Sequence, residues 1–354
     1  MVANLQGAPR SVSLALNVVL TDGLTMDNPP GQPTDTLAAE LFSPLGAEPL
    51  VLLDALALPD RLPPAVLIAV DRAGALPAVD PDRFDALVTT RPNAPTPWAS
   101  VVPSRLDAQL NMARADAAAA PIATAILARV LRITGQLQFE EALEVESFAY
   151  SALLGGAEFR RWRSTRQPGG ASRAGAVRYD RDGAVVTLTL ASPQTGNAMT
   201  ATMRDALYEA LANVLDDPGA PRVILKAEGR CFSTGGHLPE FGTATDLAQA
   251  HAIRTLRSSA RLLHRLGDRA EVRLHGACIG SGIEVAAAAA RRVGSPDTFI
   301  QLPELRMGLI PGAGGTVSIA RAIGRHRLMW LVLGAFRLGA ETAGDWGLLH
   351  EIAD

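Results

Sequence analysis

Several common features are scarce in the 354-residue chain, and each scarcity excludes something. Its two cysteines, Cys231 and Cys278, are too few for a disulfide framework. No uninterrupted apolar stretch reaches about 20 residues, so no membrane-spanning helix is expected even though 48% of the residues are hydrophobic. The 33 Lys+Arg and 36 Asp+Glu leave a formal charge of −3, without the basic excess that a nucleic-acid partner requires. Lysine occurs once, as Lys226, so any phosphate contact falls to arginine or to backbone N–H groups. Lys226 ends a strand-like run that starts at Arg222, which suits a solvated side chain better than an amine nucleophile. The N-terminus also lacks the basic segment and apolar run of a secretory signal, making a reducing cytoplasm the expected compartment.

What is present changes character along the chain. Residues 1–100 are rich in Pro, Ala and Leu, with strand-like runs at 66–70 and 86–90, no catalytic signature and no assignable role. Residues 101–165 read as helical: Pro121 suits a first turn, Ile122, Ile126, Val130 and Ile133 recur at helical spacing, and Gly135 can end the run. A further helix is expected over 139–154. Residues 166–176, including Gln167-Pro168-Gly169-Gly170-Ala171-Ser172, read as a linker. Beyond it, residues 177–354 alternate strands and helices. A hairpin turns at Asp182-Gly183, and an amphipathic helix runs from Met203 to Val214, with Thr202 and Asp205 at capping-box spacing. Strands at 222–226 and 271–275 and helices at 246–266 and 282–292 complete an α/β pattern of repeated βαβ type.

Chemistry concentrates in three stretches of this half. After one strand comes Ser233-Thr234-Gly235-Gly236-His237, where adjacent glycines allow a sharp turn with open N–H groups. After another comes Gly280-Ser281-Gly282-Ile283-Glu284, a turn opening an Ala-rich helix, where backbone donors suit a developing oxyanion. Taken alone, each is an ordinary turn. The third stretch, Pro303-Glu304 to Gly312-Ala313-Gly314-Gly315, adds a second acid. Glu284 sits on the first turn of an apolar helix, where a carboxylate without a task would be costly. Two acids and two donor loops make an acid/base site.

With these three ordered motifs, residues 177–354 resemble the enoyl-CoA hydratase/isomerase, or crotonase, superfamily. The resemblance implies a crotonase-like core of repeated ββα units with an additional N-terminal α-helical or mixed region. It implies oxyanion N–H groups at Gly236 and Ser281, catalytic carboxylates at Glu284 and Glu304, and substrate contacts from Ser233, Thr234, Gly235, His237, Gly280 and Gly312. The expected substrate is an acyl-CoA thioester, with coenzyme A present only as part of it. No permanently bound cofactor, metal, nucleic acid or membrane is expected, and a homo-oligomer, trimer or hexamer, is. Having both acids favours hydration, with Glu304 handling the α-proton and Glu284 positioning water. Isomerisation or other enolate chemistry, and a non-catalytic CoA-binding scaffold, are the alternatives.

The sequence departs from the family pattern in places. His237 stands where the family usually has Asp, and Ala-Arg-Arg replaces a common Cys-Asp pair after the Glu284 helix. Only the Asn-Ala part of an early motif persists at Asn197-Ala198, leaving Arg178 or Arg230 as stand-ins for a CoA phosphate contact. Relatives continue beyond the position matching Asp354 with helices that cap the acyl pocket. Residues 102–163 resemble that tail, which suggests a permuted order, with an unrelated helical domain as the alternative.

Overall fold

A computed structural model of the chain describes residues 42–46, 48–166 and 175–353. The expected linker segment Gln167-Pro168-Gly169-Gly170-Ala171-Ser172 lies outside the described residues, as do residues 1–41. Strands β1 (Leu50–Asp54), β2 (Val66–Asp71), β3 (Ala86–Thr89) and β4 (Ala99–Ser100) form a parallel sheet in sequence order. The two apolar runs legible in the sequence are its central strands. They are buried throughout, as parallel strands covered on both faces must be. Alternation divides them: Ile68 and Val70 enter the main core, whereas Leu67 and Ala69 join Phe84, Leu87 and Trp98 in a smaller cluster.

Four helices follow: α1 (Pro103–Ala119), α2 (Pro121–Thr134), α3 (Phe139–Leu154) and α4 (Ala157–Ser164). Pro103 and Pro121 each start a helix, where the missing N–H costs no hydrogen bond. The Gln138 N–H donates to the Glu141 carboxylate at the start of α3.

The C-terminal half is built on a six-stranded sheet in the order β13-β10-β8-β7-β6-β5. Its strands are β5 (Val177–Asp182), β6 (Val185–Leu190), β7 (Arg222–Ala227), β8 (Ala270–Leu274), β10 (Arg291–Gly294) and β13 (Glu351–Ile352). Only the β5/β6 pair is antiparallel. A second sheet contains β9 (Ala277–Ile279), β11 (Phe299–Gln301) and β12 (Leu338–Gly339). Helices α5 (Ala201–Asp216), α6 (Leu247–Leu256), α7 (Ser259–Leu266), α8 (Ser281–Ala286), α9 (Gly315–Ile323), α10 (Arg325–Leu333) and α11 (Ala340–Asp345) complete the half. Leu188, Leu225 and Val272, on three adjacent strands, are almost wholly buried, each worth about 1.5–3 kcal/mol of transfer free energy.

The structure differs from the sequence expectations at several ends. The hairpin turn is Gly183-Ala184, because Asp182 still pairs with Val185. Thr200, not Thr202, caps α5, its hydroxyl accepting from the Met203 N–H. The helix expected over 246–266 is two helices, since the Ser258 side chain accepts from Arg261 N–H and starts a new one. The helix expected over 282–292 ends at Ala286, and Arg291-Arg292 belong to β10. There the Arg292 guanidinium donates to the carbonyls of Ala287, Ala289 and Leu348, satisfying the end of α8 while its backbone joins the sheet.

The N-terminal elements pack onto this half. α3 lies against α6 and α9, α2 against α9 and α10, and β3 against α10. The attachment of the β1–β4 sheet is polar as well as apolar. Arg327 donates to the carbonyls of Trp98 and Ala94, Arg325 to those of Phe84 and Pro81, and His326 meets the Pro81 carbonyl at 2.8 Å. Burial pushes the His326 pKa down to about 4, so at neutral pH this contact is an uncharged N–H donor to a carbonyl.

Candidate active site

The expected motifs converge on one open cavity of about 1340 Å³. The loop after β7 is held by a short bridge to the next crossover: Ser233 N–H donates to Ala277 O, and Ile279 N–H to Ser233 O. Gly235 (φ +89°) lies so near that crossover that a methyl on it would sit 2.7 Å from the Ile279 carbonyl oxygen. The two donor loops therefore touch. The N–H groups of Gly236 and Ser281 both border the cavity and make no hydrogen bond among the described residues. Ser281 is the first residue of α8, so its N–H has no partner one turn earlier.

The two acids approach the same point. Glu284 projects from α8 and Glu304 from the short turn after β11, and both are buried. A methyl on Gly280 would lie 2.8 Å from Glu304 Oε1 and 3.9 Å from Glu284 Oε1, which places both carboxylates beside the residue preceding Ser281. Their surroundings differ. Glu284 Oε2 accepts from Ala313 N–H at 2.7 Å and Gly315 N–H at 3.1 Å. Glu304 Oε2 is buried with no partner among the described residues. Burial raises both pKa values, that of Glu304 to about 8, and repulsion from Glu304 lifts Glu284 further. Such a pair retains a proton at neutral pH. Two N–H bonds from the 313–315 loop stabilise charge on Glu284, whereas Glu304 has only its own backbone N–H and a buried, unpartnered Oε2, so it is the better place for the proton.

Of the other expected contacts, Thr234, Gly235, His237, Gly280 and Gly312 line the cavity. Ser233 does not. It is fully buried, its hydroxyl donating to Asn197 O and accepting from Gly235 N–H, so it shapes the loop from behind. His237 is half-buried, its Nδ1 unpartnered among the described residues and 3.7 Å from Glu240 Oε1. Neither Arg178 nor Arg230 reaches the cavity wall, and Arg178 pairs with Glu228 instead.

Three cavity residues escaped the sequence reading. Glu146 of α3 accepts from Gly314 N–H through Oε1, and from the Thr316 N–H and hydroxyl through Oε2. It thereby fixes the loop that in turn holds Glu284, and burial raises its own pKa to about 7. Tyr150, one turn later, packs on Gly312, and Arg254 of α6 lies over its ring. A signal for Glu146 did exist: it falls one helical turn from Ala142 and Leu143 on the buried face of α3, a carboxylate on an apolar stripe.

The sequence model described as Enoyl-CoA hydratase/isomerase matches residues 180–354. A "Probable enoyl-CoA hydratase" of Rhodobacter capsulatus is 30% identical over 176 residues, covering 49% of this chain and 67% of that protein. The chain belongs to the enoyl-CoA hydratase/isomerase family. Within it, a "Probable enoyl-CoA hydratase" of Bacillus subtilis is 29% identical over 49% of this chain and 67% of its own length. A trans-2-decenoyl-[acyl-carrier-protein] isomerase of Streptococcus mutans is also 29% identical, over 50% of this chain and 69% of its own length. The crystal structure of enoyl-CoA hydratase from Thermoplasma volcanium is 27% identical, with a TM-score of 0.46, covering 50% of this chain and 71% of that one. The chain thus spans about two thirds of the length of these three curated relatives.

Proposed function

We propose that this site adds water across the α,β double bond of an enoyl-CoA thioester, or removes it in reverse. The observation that carries the reading is the convergence of Glu284 and Glu304 on Gly280, beside the free N–H of Ser281. In the proposed mechanism, the thioester carbonyl accepts from Gly236 N–H and Ser281 N–H. Charge that grows on its oxygen as the enolate forms is stabilised by donors already in place. The β-carbon becomes electrophilic. Ionised Glu284 takes a proton from water as the oxygen bonds to the β-carbon, and protonated Glu304 gives its proton to the α-carbon. Glu284 ends protonated and Glu304 ionised, and proton exchange with solvent resets the pair. In this reading the chain assembles as a trimer or hexamer, which light scattering on the purified protein checks.

Isomerisation needs a single acid/base to move a proton between carbons, and one of the relatives above is named an isomerase. The unlike surroundings of the two acids favour hydration, because an ionised Glu284 beside a protonated Glu304 is useful where water must be activated. Incubation with crotonyl-CoA decides: loss of the conjugated thioester absorbance, abolished in Glu284→Gln, is expected. Turnover only of substrates with a displaced double bond, indifferent to Glu284→Gln, would transfer the site to isomerisation.

A further inference from the structure

The cavity carries a cation that the hydration chemistry does not use. Of the seven arginines on its wall, Arg204, Arg257 and Arg306 each pair with a carboxylate, whereas Arg160, Arg163, Arg166 and Arg254 do not among the described residues, and of these four Arg254 is the one set over the Tyr150 ring. Arg254 has no carboxylate within ion-pair distance among the described residues. Its Nη1 donates to Ser147 Oγ at 2.9 Å, Ser151 Oγ at 3.0 Å and Ser147 O at 3.3 Å, all neutral groups. Its Nε and Nη2 make no hydrogen bond among the described residues and are not sealed inside the protein. Glu146 bears on it electrostatically, but both Glu146 oxygens are committed to the 314–316 loop. The guanidinium carbon lies 4.5 Å from the centre of the Tyr150 ring. Tyr150 packs on Gly312, next to the Ala313 N–H that holds Glu284, and Arg254 lies over its ring. Contacts thus run from Glu284 through the 312–313 loop to the phenol and from the phenol to the guanidinium.

We propose that the Tyr150–Arg254 pair receives the far end of an acidic acyl group, so that the substrates are acyl-CoA thioesters whose acyl chain ends in a second carboxylate. This rests on the acyl-CoA reading above and adds the substrate class to it. A purely hydrocarbon acyl chain laid along this wall would strip water from Nε and Nη2 of the guanidinium and give them no partner. A carboxylate would accept from the free Nε and Nη2 in the fork geometry that arginine provides. Burial and the neighbouring acids hold the Tyr150 phenol protonated, leaving its O–H as a further donor to the same group.

Binding of unreactive saturated thioesters to the full chain tests this without turnover. Succinyl-, glutaryl- and adipyl-CoA are each titrated against the monoacid thioester of equal carbon number, with CoA itself alongside. At least one diacid thioester is expected to bind about tenfold or more tighter than its monoacid counterpart, the size of a charge-assisted hydrogen bond or two. Arg254→Gln should collapse that ratio to about one, while Arg254→Lys should retain part of it. Diacids that bind no tighter than monoacids would overturn the subsite and leave the acyl-CoA reading standing. So would an Arg254→Gln variant that weakens CoA itself as much as the diacid thioester, because the cation would then serve the nucleotide phosphates. Should no thioester bind, both readings fall. If Arg254→Gln does not fold, the wild-type ratio and Arg254→Lys decide the matter.

Discussion

At the scale of single residues, the proposed mechanism depends on two chemically identical side chains having unlike surroundings. Glu284 is held by two backbone N–H groups, and Glu304 has a buried oxygen with none. Replacing either by Gln is expected to lower kcat for hydration by about 10²–10⁴, the usual worth of a positioned general acid or base. The raised pKa of Glu304 also makes a stability prediction with a definite sign. Folded, the group keeps its proton to about pH 8; unfolded, it releases it near its ordinary value of 4.5. The unfolded state therefore binds fewer protons across this window, and wild-type stability falls as pH rises from about 4.5 to about 8. Glu304→Gln lacks that penalty. Its melting temperature should exceed the wild-type value at pH 8, with the gap closing towards pH 4.5. A gap that widens on acidification would mean that Glu304 is ionised in the native state.

Both acids were legible in the sequence because each stands next to a glycine-rich turn, a local pattern. Glu146, Tyr150 and Arg254 were not, because their roles depend on contacts across the chain. Glu146 meets its loop 168 residues away, and Arg254 meets Ser147 at a separation of 107. No window along the chain brings such partners together. Ser233 erred the other way: it lies inside a true motif, yet its side chain points behind the loop. A strand-to-helix turn places alternate residues on opposite sides, and the spelling of a motif does not say which side faces substrate.

At the scale of elements, one crossover does most of the positioning. β9 ends at Ile279, and Gly280 turns the chain with φ +48° into α8 and brings Ser281 N–H and Glu284 to the cavity together. Gly280→Ala should cost about 1–3 kcal/mol in backbone strain and, by pushing on Glu304 Oε1, should reduce kcat more than it reduces stability. Thermal melting and steady-state kinetics on the same preparation separate the two effects. The latch from α3 to the loop before α9 is the complementary case. Glu146→Ala leaves the Gly314 and Thr316 N–H groups and the Thr316 hydroxyl without their acceptor, and denaturant unfolding should show a loss of about 2 kcal/mol or more. Glu146→Gln keeps an acceptor and should lose less. Element types were readable from periodicity, but ends were not. The break at Ser258 and the early end of α8 are set by a capping hydroxyl and by Arg292 reaching back to carbonyls, both decided by tertiary neighbours.

At the scale of the whole molecule, the helices that precede the family core in sequence take part in its site. α3 supplies Glu146 and Tyr150 to the cavity, and α2 and α3 cover α9 and α10. Removing residues 1–165 should therefore expose the apolar faces of α9 and α10 and give an aggregated, inactive product. A truncated chain that stays folded and active would show that the core does not need this cover. The β1–β4 sheet had no legible role in the sequence. Its anchoring by Arg325, His326 and Arg327 explains why: the contacts go to backbone carbonyls, which any sequence offers.

The central claim is that two main-chain N–H groups from separate turns, Gly236 and Ser281, grip one thioester oxygen. Isotope-edited infrared spectroscopy of crotonyl-CoA labelled with carbon-13 at its carbonyl, bound to the Glu284→Gln variant to slow turnover, reads that grip directly. A carbonyl stretch moved clearly to lower frequency than in free solution is the predicted result, since two donors polarise the bond. A stretch unchanged from solution, with the thioester demonstrably bound, would contradict the account.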